Sequence, residues 1–181
     1  MVTCKLTPTA KPGAVRRITR MALLTAIALT IFMAEAQLPN PIPLPGIKLG
    51  LANIVTVYAM FALGPSDTLM ILLARVFLGS VFSGQMMIFL YSLTGGLFCW
   101  CIMLLLRRLL KPDQIWVCSV IGAAFHNLGQ LLAAILIART PALVVYLPWL
   151  LLGGMAAGLF TGLCAQLLLA HLNKLQGGPK P

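Results

Sequence analysis

The sequence predicts an all-α integral membrane protein, a bundle of six transmembrane helices with both termini in the cytoplasm. Three observations carry that prediction. The chain of 181 residues is 60% hydrophobic and only 9% charged, with a mean hydropathy of +1.00. Its three acidic residues are too few to solvate the surface of a water-soluble domain of this size. Its apolar residues fall into six segments close to the ~20 residues that cross a ~30 Å hydrocarbon core.

Those segments are 18–37, 47–63, 68–82, 86–106, 115–138 and 148–172, the last preceded by a shallow segment from Ala142. The second and third are short, as are many spans around transporter sites. The breaks carry turn chemistry. Gly64-Pro65-Ser66-Asp67 separates spans two and three, and Asp67 is placed to cap the helix that follows. Ser83-Gly84-Gln85, Lys111-Pro112-Asp113 and Arg139-Thr140-Pro141 close the later spans. The proline-alternating loop 38–46 favours an extended, stiff conformation and is expected to lie over the outer face as a lid. Residues 1–17 form a basic cytoplasmic leader, 18–172 the membrane domain and 173–181 a cytoplasmic tail. The basic leader, the apolar run and Ala34-Glu35-Ala36 imitate a secretory signal, but more membrane segments follow instead of a secreted domain, so cleavage is not expected.

Charge sets the orientation. Lys5, Lys11, Arg16, Arg17, Arg20, Arg107, Arg108, Lys111, Lys174 and Lys180 fall on one side of a six-span topology, against Lys48 and Arg139 on the other. The positive-inside rule puts both termini in the cytoplasm. The net charge of +10 sits at the ends of apolar segments, beside lipid headgroups, and forms no stripe for nucleic acid. The five cysteines have no metal-ligand spacing and read as small core residues. No phosphate loop, Ser/His/Asp set or paired carboxylates occur, so the chain is expected to be neither an enzyme nor an ATPase, and no cofactor is implied.

The exceptions to this greasiness are informative. His126 lies about 12 residues into span five, ~18 Å deep at 1.5 Å per residue and near the midplane. His126 and Gln130 are spaced i,i+4 and Asn127 and Gln130 i,i+3, so the three share a face. Arg75 is at mid-depth in span three, Glu35 near the outer end of span one, Lys48 and Asn53 at and below the outer end of span two, and Tyr91 with Ser92 in the outer half of span four. All lie between the midplane and the outer surface. A charge at depth costs a few kcal/mol unless paired or hydrated, so clustering around an outward-facing cavity is the least costly arrangement. Competing readings stay open: an Arg75–Glu35 structural ion pair, interhelical hydrogen bonding by His126, Asn127 and Gln130, and interfacial anchoring by Lys48 and Tyr91. The candidate substrate-binding set is Glu35, Lys48, Asn53, Arg75, Tyr91, His126, Asn127 and Gln130. Its cationic surplus suits a small polar or anionic ligand. Small-residue patterns mark close helix approach: Ala22 and Ala26 in span one, Gly95-Gly96 in span four, and Gly154, Gly158 and Gly162 in span six. Internal packing is expected for span six, whereas Ala22 and Ala26, beside the basic end, also suit docking to a partner.

Four stretches in order, PGIKLGLANIVT (45–56), ARVFLGS (74–80), YSLTGG (91–96) and GAAFHNLGQ (122–130), resemble the bacterial Gx transporters, whose members are often labelled heptaprenyl diphosphate synthase component I. The resemblance runs from Arg20 to Leu172. It is similar in turn to the substrate-binding S components of energy-coupling factor (ECF) transporters. The likeness implies a bacterial cytoplasmic-membrane protein with six helices and an outward-facing site, docking through an A-x-x-x-A in helix one onto a membrane coupling subunit with two ATPases. Ala22 and Ala26 match that motif's form and place. The family label implies another partner, a soluble prenyl diphosphate synthase. The usual catalytic subunit of such an enzyme carries DDxxD segments. Here the two aspartates, Asp67 and Asp113, are far apart, so this chain would be a non-catalytic accessory.

Overall fold

The computed structural model describes residues 13–37, 50–84, 86–110 and 114–175. They fold into six α-helices: α1 (Ala14–Ala36), α2 (Asn53–Ala62), α3 (Pro65–Ser83), α4 (Met86–Leu109), α5 (Ile115–Ala138) and α6 (Leu147–Leu175), with a 3-10 helix over Pro141–Tyr146 leading into α6. Five segments, all but α2, are long and apolar enough to cross a membrane. The large apolar side chains on the outside of the bundle, such as Phe77, Leu136, Trp149 and Phe160, would face water at great cost and suit lipid.

The second span departs from expectation. Over 47–63 a crossing helix is expected, yet helix begins only at Asn53 and its ten residues reach about 15 Å. Gly50 causes the late start. Its φ of +79° is left-handed, and its N–H is taken by a side chain rather than by a helical carbonyl. Although short, α2 touches each of the other five helices and buries Asn53, Val55, Thr56, Val57, Ala59 and Met60. It is the centre of the bundle, where few residues need to meet lipid. The expected loop 38–46 and Lys48 lie outside the described residues.

Around α2 the helices pack as a chain of neighbours. α1 lies on α3, α3 on α4, α4 on α5 and α5 on α6, which returns to α2. The tightest seams are those of α5. On α6 a side chain at Gly158 would stand 2.7 Å from the Ala123 Cβ and 3.0 Å from the Ser119 carbonyl, and one at Gly162 would stand 2.7 Å from the Trp116 Cα. The glycine repeat of span six is therefore an internal seam with α5, closed further by Ser119 and Thr161 hydroxyls 3.2 Å apart. On the other side of α5, Gly129 lies against Gly95 and the Thr94 carbonyl of α4. Ala22 and Ala26 are exposed on α1. Cys99 and Cys118 are buried beside Met60 and Met103, while Cys101 is exposed.

One end of the bundle is closed by charge. Asp67 is not the cap of α3. Gly64 holds the cap position, with no side-chain cap bond, and the Asp67 carboxylate instead takes both the Nε and an Nη hydrogen of Arg17. The fork ties the start of α1 to the start of α3, with a better partner for the carboxylate than backbone amides alone. Near it the Trp100 indole donates to the Pro65 carbonyl at 3.1 Å.

Candidate functional site

Away from that end, the C-terminal end of α1, the N-terminal end of α2, the second half of α3, the start of α4 and the middle of α5 converge on one cavity. Its walls include Phe32, Glu35, Gly50, Arg75, Ser92, His126 and Gln130. The cavity, of about 20 Å³, suits a water or two, or the polar edge of a small molecule.

Each polar wall residue is placed by a local cause. Glu35 is 5% exposed and its Oε1 accepts the Gly50 N–H at 2.6 Å, which fixes the carboxylate and the turn into α2 together. Only glycine suits that turn. Its φ is positive, and a Cβ there would stand 3.0 Å from Asn53 Nδ2 and 3.8 Å from the His126 ring. Arg75, also 5% exposed, gives a long 3.4 Å hydrogen bond from Nη2 to Asn53 Oδ1. It makes no ion pair with Glu35; among the described residues the ion pair is Arg17–Asp67. Both side chains line the same cavity. His126 and Gln130 share one face of α5, as their spacing predicts, and reach the cavity where Gly95 leaves room. A Cβ on Gly95 would lie 2.7 Å from Gln130 Cγ and 3.1 Å from His126 Cε1.

Asn127 is directed differently. Its Nδ2 donates to the Leu150 carbonyl at 2.5 Å, and its amide fills the space that a side chain at Gly154 would need. It joins α5 to α6 instead of lining the cavity. Tyr91 is half-buried and does not line the cavity, whereas its neighbour Ser92 does. Lys48 lies outside the described residues. Phe32, Gly50 and Ala52 complete the wall without having been singled out in the sequence; the G-L-A-N run into α2 was the available signal for Gly50.

Four buried atoms on this wall have no hydrogen-bond partner: Glu35 Oε2, Arg75 Nε, His126 Nδ1 and Gln130 Oε1. An unmet buried polar atom costs about 1–3 kcal/mol, so native proteins hold few of them. Here four belong to residues that line one cavity.

Fold and wall together define a multi-pass helical membrane protein with a buried polar pocket near one end of the bundle. The chain belongs to the heptaprenyl diphosphate synthase component I family, whose model matches residues 24–168. No curated protein and no solved structure matches it.

Proposed function

We propose that this chain is the solute-capturing membrane component of a transport system. It binds a small polar or anionic compound from the outer face and depends on a separate ATPase module for energy. The observation that carries this reading is the convergence of Glu35, Arg75, His126 and Gln130, from three helices, on one cavity with an unmet polar atom on each. A purely structural role for the same residues favours mutual pairing, because an unpaired charge at depth is costly. Here Arg75 and Glu35 line one cavity without forming an ion pair. The positive-inside bias puts this end of the bundle outside and the basic end, with Arg17 and Arg107, in the cytoplasm. The exposed Ala22 and Ala26 on α1 supply a smooth surface on which an ECF-type coupling subunit would dock.

The family name favours a second reading, a non-catalytic membrane subunit that partners a soluble polyprenyl diphosphate synthase. Asp67 pairs with Arg17 in the structure. Purifying the tagged protein from its native membrane in mild detergent, with mass spectrometry of what accompanies it, separates the two. The transport reading expects a coupling subunit and ATPases. Recovery of a prenyl synthase in their place transfers the function to the second reading.

A further inference from the structure

Resting on the capture reading, we infer that the pocket takes a small, net-neutral compound rich in hydrogen-bond donors, an amide or a zwitterionic amine, in preference to an anion. Among the described wall residues the formal charges are one carboxylate, Glu35, and one guanidinium, Arg75. The open atoms are unequal in kind. Glu35 Oε2 and Gln130 Oε1 only accept, Arg75 Nε only donates, and His126 Nδ1 is an imidazole nitrogen that can do either. The wall therefore asks its guest for at least two N–H or O–H donors and one acceptor.

An anion of acceptors alone satisfies Arg75 and presses its lone pairs against Glu35 and Gln130 in the same confined space, where little water screens the repulsion. A simple cation satisfies Glu35 and meets Arg75. An amide edge or an ammonium–carboxylate pair answers both sides. Its N–H groups turn to Glu35 and Gln130, and its oxygen turns to Arg75. The Glu35 carboxylate cannot swing away to avoid this choice, because its other oxygen holds the Gly50 N–H.

The test uses saturation-transfer NMR on the full chain in detergent, with acetamide (neutral amide), glycine (zwitterion) and acetate (anion) as probes of similar size carrying C–H reporters. Acetamide and glycine are expected to receive saturation and acetate to stay at background. Glu35→Gln keeps an oxygen for Gly50 while turning an N–H toward the guest, and Gln130→Met removes the second acceptor. Either is expected to weaken acetamide and glycine binding about tenfold. Gel filtration and melting temperature identify variants that remain folded, and the probe selectivity of the unaltered protein stands without them. Acetate binding as strongly as acetamide, and lost in Arg75→Met, overturns the donor-rich class while leaving solute capture in place. Folded variants that bind acetamide and glycine unchanged, or an unaltered protein that binds none of the three probes, overturn the class as well. The co-purification decides the capture reading separately.

Discussion

Successive residues on a helix point about 100° apart, and on α5 this divides two neighbours between two tasks. His126 turns toward α4 and the cavity, where Gly95 leaves space for its ring. Asn127 turns toward α6 and holds the Leu150 carbonyl. The i,i+3 and i,i+4 spacings group His126, Asn127 and Gln130 on one broad face, but such a face is wide enough to serve two seams, and the partner helices that divide it are invisible to periodicity. Asn127→Leu is expected to destabilise the protein by about 1–2 kcal/mol, seen as a lower melting temperature in detergent, because it removes the buried interhelical hydrogen bond to the Leu150 carbonyl. Ligand binding in the folded fraction should be unchanged. A loss of binding at unchanged stability would return Asn127 to the pocket.

At the scale of elements, small residues decide how near the helices come and therefore where the polar groups meet. The glycine repeat of α6 was legible as a close-packing motif, and its partner is α5. Gly158→Ala places a methyl 3.0 Å from the Ser119 carbonyl and 3.1 Å from the Val120 Cα, backbone atoms that cannot rotate aside. An overpacking cost of about 1–3 kcal/mol is expected, measured as a fall in melting temperature. Ala22 and Ala26 present the contrasting case, small but exposed. Replacing both with Leu should leave folding and ligand binding intact while removing the docked partner from the co-purified complex; retention of the partner places docking elsewhere. The least legible element was α2. Hydropathy over 47–63 marks an apolar stretch, but length in a membrane scale measures contact with lipid, and α2 is surrounded by protein. The role of Asp67 was hidden for a similar reason. A carboxylate in a first helical turn suits capping, and only the fold brings Arg17 to it from 50 residues away.

At the scale of the whole molecule, two sets of charged and polar groups among the described residues stand apart. Arg17 and Asp67 bind the helix starts at one end, and the buried set of Glu35, Arg75, His126 and Gln130 gathers toward the other. Composition alone made the membrane class legible, and depth marked Glu35, Arg75, His126 and Gln130 among the polar residues, four that line the cavity, because a buried polar group in lipid has few low-cost places to go. What depth could not supply was pairing. Arg75 and Glu35 border the same cavity without forming an ion pair. The most direct measurement is native mass spectrometry of the protein released from its own membrane, compared with Arg75→Ala. A folded wild-type protein carrying a small-molecule mass that the variant lacks is the result predicted. Identical spectra showing only protein and lipid in both would contradict a solute pocket built on Arg75.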